Sequence, residues 1–567
     1  MDESLHVLGN GRLMVGLKGL DVYDFKPTDG ASLFSAAHYR VTENGYEPVV
    51  SEHKRIPGRA EYIHTLKEGT VREFVTVNDC FVREFSLSSP IVMKVETKPL
   101  VVIGGDNVMC VKKGSPFIND YPTTQDAYFR FSGTGISVDF PYITMRGNGK
   151  LVVKLSDVPD ADVTPGDIWS PEFPGLKREV PEEIRRSAED FYFLMQSYRA
   201  DCGGYVSAVE WNMGYVRDLY GASRGMLAAG WYPMVKEILA FFRNGFEKNG
   251  FLATAYTLDG LYTPHIHECD RAENTGYIVL LLFEYLKVTG DREFFEELLP
   301  FARSCVRAQS EVCFGGMLPF SGDETYVAGG MLPKVHIDDG SAEATMLFIK
   351  SAELMAPYMK GDGALDKAKE AAAAFRDNFV RDGRLITNNP ERRKIAAFPP
   401  SKHGCCIYCY NHRDITPNEF GLYRCAECAA KPQADLRDGR IYELPCVGME
   451  PVFFGSNVLT EKEQLEFFER LAEQTLANGY FESELKNTGY EFGLLLYGLT
   501  LLGSRYAQKA AEFTLSMRDE EGVWAEYYFG AKPSGMRWRS WETGVNLCAL
   551  MKFCEKKSCF GGNGCEK

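Results

Sequence analysis

"DVPDADVTPGDIWSPEFPGLKREVP", residues 157–181, carries five prolines and divides a chain of 567 residues into two unlike halves. Before it, apolar residues alternate with polar ones. Ile91, Met93 and Val95 fall on one face of an extended run, and Leu151, Val153 and Leu155 on one face of another,. "GNGRL", "ENGYE" and "GNGKL" each set Asn-Gly between strand-like runs, which is a strong short hairpin signal,. After it the period becomes helical. "DREFFEELLPFARSCVRAQS" (291–310) puts Phe294, Phe295, Leu298, Leu299, Ala302 and Val306 on one stripe, with Asp291 as N-cap,. "TEKEQLEFFERLAEQTL" opens on a capping box, Thr460 with Glu463,.

Further helical stretches are predicted near 182–199, 214–229, 232–247, 274–289, 341–357, 363–381, 489–502, 505–516 and 540–556,. They come in pairs, with longer loops after alternate helices. The expected fold is multidomain: an N-terminal antiparallel β-sandwich (1–160), a Pro-rich linker (161–180), and an (α/α)6 helical toroid (181–556) with a Cys-rich insert at 403–430,. A stacked helical array is the alternative, and residues 557–567 read as a frayed tail,.

The formal charge of −15 argues against a nucleic-acid partner, whose phosphates need a basic surface,. No apolar run reaches the roughly 18 residues of a membrane span. "MDESLHVLGNGR" has neither a basic nor an apolar leader region, so the expected location is cytoplasmic,. There the 16 cysteines serve as thiols or metal ligands rather than disulfides,.

Loops after alternate helices of a toroid converge at one end, so chemistry is sought there. "EWNMGYVRDLYGA" (210–222) opens a helix with Arg217 and Asp218 behind Trp211. "TPHIHECDRAENTGYIV" (263–279) holds two histidines and three acids, too few defined ligands for a metal assignment,. "PFSGDETYVAGG" (319–330) has adjacent Asp323 and Glu324. "GVWAEYYFGAKPSGMRWRSWETG" (522–544) sets Glu526 and Glu542 among Trp524, Tyr527, Tyr528, Trp538 and Trp541. Carboxyls among aromatic rings suit glycoside chemistry: rings stack on sugar faces, and apolar walls keep an acid protonated.

These loops, in this order, resemble those of glycoside hydrolase family 15, the glucoamylase family, and its six-hairpin relatives. "GNGRLMVGLKGLDVYDF", "MGYVRDLYGASRGMLAAG", "GDETY…DDGSAEATMLF" and "VWAEYYFG" carry the likeness. It implies an inverting exo-α-glucosidase acting on a small oligosaccharide or glycoside, with no cofactor in catalysis. Glu324 is then the general acid and Glu526 the general base, and Trp211, Arg217, Asp218 and Trp524 line the sugar. Asp323 stays open as the acid and Glu542 as the base. "GDETY" also resembles the acid loop of inverting α-glucoside phosphorylases, and Lys532, Ser534, Arg537, Arg539 and Ser540 could then hold phosphate.

"HGCCIYCYNHRDITPNEFGLYRCAECAA" (403–430) stands outside the sugar chemistry. Cys406, Cys409, Cys425 and Cys428 follow the C-x2-C…C-x2-C pattern of a structural zinc site, with Cys405 adjacent,. Zinc is the expected metal.

Overall fold

The computed structural model describes residues 5–30, 32–97, 101–103, 108–112, 126–392, 402–406, 411–417, 423–430, 439–483, 486–519 and 521–561. Its N-terminal part is antiparallel β: β1 (Leu5–Gly9), β2 (Leu13–Lys18), β3 (Asp21–Pro27), β4 (Phe34–Thr42), β5 (Gly45–Pro48), β6 (Ser51–Arg55), β7 (Glu61–Leu66), β8 (Gly69–Val75), β9 (Cys80–Leu87), β10 (Ile91–Thr97), β11 (Val101–Ile103), β12 (Val108–Lys112), β13 (Asp126–Asp139) and β14 (Tyr142–Ser156). The main ladder runs β1-β2-β3-β4-β10-β14-β9-β8-β7-β6 without a break.

Two Asn-Gly pairs make hairpin turns, at β1/β2 and β4/β5. The third does not. Asn148 and Gly149 lie inside β14, whose first residues pair with β10 and whose later ones pair with β9. Gly147, at φ +63°, and Gly149, where a Cβ would strike the Phe85 ring, let the strand bend there and pass the ladder from β10 to β9,. Rings pack through the core: Phe25 of β3 lies 4.6 Å from its cross-strand partner Phe34 of β4 and 6.5 Å from Phe81 of β9, a strand not paired with β3. A buried charge network is threaded through it. Arg83 is fully buried, bonded by Nε to Glu73 at 3.0 Å and by Nη2 to the Leu20 carbonyl at 2.6 Å.

Residues 157–181 form no helix and clasp both parts. Ala60 N–H donates to Trp169 O (3.0 Å) and Trp169 N–H to Val75 O (2.9 Å), while Trp231 Nε1 donates to Gly175 O (2.9 Å).

Twelve helices longer than eight residues follow among the described residues: α1 (Glu182–Tyr198), α2 (Val216–Ala229), α3 (Tyr232–Asn249), α4 (Asn274–Thr289), α5 (Arg292–Val312), α6 (Ala342–Met355), α7 (Gly363–Phe379), α8 (Pro445–Phe454), α9 (Glu461–Asn478), α10 (Glu491–Leu501), α11 (Ala507–Ser516) and α12 (Ser540–Gly561). The capping box of α9 and the Asp291 cap of α5 form as the sequence predicts. Helix α8 escapes the periodicity reading: "PCVGMEPVFF" is apolar but for the buried Glu450 and holds two prolines, so it has no stripe to detect,. Nearly all its residues are buried, which is why it needs no polar face.

The even-numbered helices pack in sequence, α2 on α4, α4 on α6, α6 on α8, α8 on α10 and α10 on α12, and α12 returns to α2, closing a ring. Glycine makes the last contact possible. A Cβ on Gly225 of α2 would lie 2.7 Å from Gly544 O, and one on Gly544 of α12 would lie 2.5 Å from Ala222 Cα. Odd-numbered helices cover the outside; α1 packs on α12 and α3 on α2. No described helix is long and apolar enough to cross a membrane.

Candidate active site

Four short loops bring their polar residues to one end of the ring. Arg217 and Asp218 stand in the first turn of α2, and both are buried. Arg217 Nη1 lies 3.4 Å from Asp323 Oδ2 and 3.4 Å from Glu273 Oε1, and it also donates to the Asp323 carbonyl. On its other side Arg217 Nε lies 3.7 Å from Asp218 Oδ1. Asp218 Oδ1 accepts from Arg539 Nη2 at 2.9 Å, and Arg539 Nη1 donates to Glu526 Oε1 at 2.6 Å. A relay Asp323–Arg217–Asp218–Arg539–Glu526 therefore joins the two carboxyl-bearing loops. They also touch directly, through Tyr527 O–H donating to Thr325 O at 3.1 Å.

The loop that carries Glu526 is held from the β domain. Glu521, just before it, accepts from Tyr62 O–H (2.6 Å) and lies 3.0 Å from His53 Nε2. Arg55 pairs with Asp190 and lies 5.0 Å above the Trp538 ring. Trp538 has φ +57°, uncommon for a bulky residue, and it immediately precedes Arg539,. That backbone turn aims Arg539 inward, where Asp218, Glu526 and Glu542 surround it.

Asp323 and Glu324 have opposite surroundings. Glu324 is 1% exposed; Oε1 accepts from Ser321 N–H at 2.7 Å and Oε2 from Gly322 N–H at 3.1 Å. Its carboxyl is folded into its own loop as a turn cap, so this structure does not present it to a substrate. The Asp323 side chain is 13% exposed, between Arg217 and His267, whose Nε2 lies 3.4 Å from Asp323 Oδ1. Gly322, at φ +95°, makes the turn; a Cβ there would run into the Glu268 carboxyl, itself fully buried against the loop.

Beneath the relay is a layer of buried acids. Tyr277 and Tyr326 donate to Glu343 (Tyr326 at 2.7 Å), and Ser321 Oγ donates to Glu273 at 3.1 Å. Burial pushes Glu324 up to about 7, with Glu343 adding to it, and pushes Glu542 up to about 8 against the pull of Arg539. Burial, then the neighbouring Glu324 and Glu343, hold Glu273 well above the carboxylate range,. Counting Glu273 and Glu542 beside the three acids of the relay, five carboxyl groups surround its two guanidiniums.

Stability should therefore depend on pH. A carboxyl whose folded value is raised stabilises fully below its unfolded value near 4.5 and loses that contribution as pH rises through the folded value,. The melting temperature is expected to fall from about pH 4.5 to about pH 8 and to level off above that, the window set by Glu324 and Glu542,. Calorimetry at both pH values checks this; in Glu542→Gln the fall should be smaller, and an unchanged slope there would remove Glu542 from the account.

The remaining predicted residues separate. Trp524 is fully buried with Nε1 bonded to Thr514 O at 2.9 Å, so it packs in the core rather than lining a sugar. Trp211 is half-buried against Met213, Tyr215 and Ala255, at the edge of a small sheet built from 214–215, 255–256 and 264–265. Of the phosphate-site residues, Arg539 is committed to carboxylates, Arg537 lies 3.1 Å from Asp519, and Ser540 is fully buried. Cys406, Cys425 and Cys428 come together; Cys409 lies outside the described residues. The sequence reading has Arg539 only as a phosphate ligand, and it names neither Glu273 nor Glu343, which lie below it. The signal for the latter two was two acids at the starts of loop-led helices, a pattern that capping explains equally well.

No protein-family model matches the chain, and no curated protein matches it in sequence. Among solved structures, a bacterial glucoamylase complexed with acarbose superposes with a TM-score of 0.63 over 98% of this chain and 94% of that one, at 10% identity. The fold is glucoamylase-like. A rhamnosidase from Klebsiella oxytoca with rhamnose bound gives 0.43 at 11% identity, over 90% of this chain and 96% of that one. A mannosylglycerate hydrolase from Thermus thermophilus, of glycoside hydrolase family 63, gives 0.42 at 10%, over 64% and 99%. The glucoamylase-like arrangement accounts for both the sheet domain and the helical region.

Proposed function

We propose that the protein is an inverting glycosidase on an (α/α)6 toroid, removing the non-reducing-end sugar of small α-glucosides in the cytoplasm. The observation that carries this reading is the relay: two carboxyl groups on separate loops, joined through a guanidinium–carboxylate–guanidinium bridge. A retaining pair sits about 5–5.5 Å apart, and an inverting pair about 6.5–9.5 Å apart, with a water between. Two loops distant in sequence, at 323 and 526, can supply the wider gap, which one turn of a helix would not,.

Asp323 gives its proton to the glycosidic oxygen as the bond to the anomeric carbon breaks. Water attacks that carbon from the opposite face, and its proton goes to Glu526. Solvent exchange then returns both groups to their starting states. Asp323 takes the acid role from Glu324 because it is the carboxyl that the loop leaves open. Arg217 and Asp218 hold hydroxyls of the terminal sugar. Water rather than phosphate is taken as the nucleophile because Arg539 and Arg537 are already paired with acids.

Proton NMR of the purified protein with α-linked glucose disaccharides, with and without phosphate, tests this reading. Release of β-glucose in the absence of phosphate is expected. Release of α-glucose, or of β-glucose 1-phosphate only when phosphate is present, would overturn it.

A further inference from the structure

The cysteine-rich insert lies against the candidate site. Its three-stranded sheet runs 402–406, 411–417 and 423–425, and ends in a single helical turn, Ala426–Ala430. Strand 402–406 packs beside the short strand Pro264–His265. Gly404 is the point of closest approach: a Cβ there would lie 2.9 Å from Ile266 Cδ1 and 3.0 Å from Ile415 Cδ1. Lys402 Nζ lies 4.7 Å over the Phe251 ring. The segment it covers, His265–Asp270, holds His267 against Asp323 and Glu268 against Gly322.

The described part of the insert is small. Gly404, Cys406, Ile415, Cys425 and Cys428 are buried there, three of them thiols. Their sulfurs lie within 4.8 Å of one another, and none of the three is in a disulfide. Thiolates about 2.3 Å from a tetrahedral zinc ion sit about 3.8 Å apart, so a small contraction closes the cluster on a metal. The ion pairs Arg413–Glu427 and His403–Asp414 are solvent-exposed and contribute little, so a metal would add most to a segment this short,.

We propose that Cys406, Cys425 and Cys428 bind one zinc ion and that the metal-stapled insert forms the outer wall of the sugar pocket, pinning His265–Asp270 behind the Asp323 loop. The sugar-pocket half of this rests on the proposed function; the metal and the pinning do not.

The test reads metal and loop order without substrate. Elemental analysis of protein purified with zinc present is expected to give one zinc per chain. Cobalt replacement is expected to give thiolate-to-metal absorption. Both should be lost in Cys428→Ser and kept in Cys554→Ser, a cysteine of α12 outside the cluster. Hydrogen exchange across 263–272 should quicken by about tenfold or more when wild-type protein is stripped by a chelator, which avoids reliance on a variant that fails to fold. Protein without bound zinc, or without thiolate bands, overturns the site. Zinc removal that leaves exchange across 263–272 unchanged overturns the wall. Both readouts keep their meaning even if every sugar tried proves inert.

Discussion

Replacing Asp323 by Asn should lower kcat on disaccharides about 10³-fold while leaving the melting temperature within about 2 °C of wild type. The size follows from its role: general acid catalysis contributes about 10²–10⁴-fold, and a sugar is a poor leaving group without a proton. Stability should hold because Arg217 keeps Glu273 and Asp218 as partners. The signature is leaving-group dependence. On a glucosyl fluoride, whose departure needs little protonation, Asp323→Asn should retain much of its activity. Glu526→Gln should lose about 10³-fold on both substrates, because the attacking water still requires a base.

Glu324→Gln separates the neighbours. Its amide would turn an N–H group toward either the Ser321 or the Gly322 donor, so a stability loss of about 1–3 kcal/mol is expected, with kcat lowered less than about tenfold,. A stable Glu324→Gln that is inactive, beside an active Asp323→Asn, would return the acid role to Glu324.

The second large effect is structural. Gly544→Leu is expected to cost about 3 kcal/mol or more, since the added side chain meets backbone and not a rotamer that can yield. Ala222 Cα and Gly221 O both stand 2.5 Å from the position its Cβ would take. The nearest relief is to part α2 from α12, which opens the ring. Gly363→Ala is the control: that glycine begins α7, and nothing lies within 4 Å of a Cβ there. Thermal unfolding at one scan rate checks both; equal melting temperatures for the two variants would refute tight ring closure.

Much of this was legible where local chemistry decides the outcome. The capping box at Thr460, the boundary between sheet and helices at 157–181 and the clustered cysteines each follow from residue types at short spacing. The Arg217–Asp218 opening of α2 was legible too, although what it pairs with was not. What failed to show depends on distant partners. "GNGKL" reads as a turn, yet becomes a bend because β14 is claimed by β10 and β9 at once. Helix α8 has no stripe because it is buried all round. Trp524 sits in an aromatic-rich loop, and only the Thr514 carbonyl shows that it faces the core. Asp323 and Glu324 differ by one position and by a turn that glycine makes. Their roles divide on which carboxyl meets the Ser321 and Gly322 amides, something composition does not encode.

The closing contact between α2 and α12 also sets an order on synthesis. Helix α2 leaves the ribosome first, and the helix that completes its surroundings starts 324 residues later, at 540 against 216. At about 10 residues per second, roughly half a minute separates them. Throughout that interval the ring is an open arc with Gly221, Gly225 and the surface around them unmatched. A message truncated before α12 would therefore yield an unsealed chain and a client for chaperones, rather than a smaller enzyme.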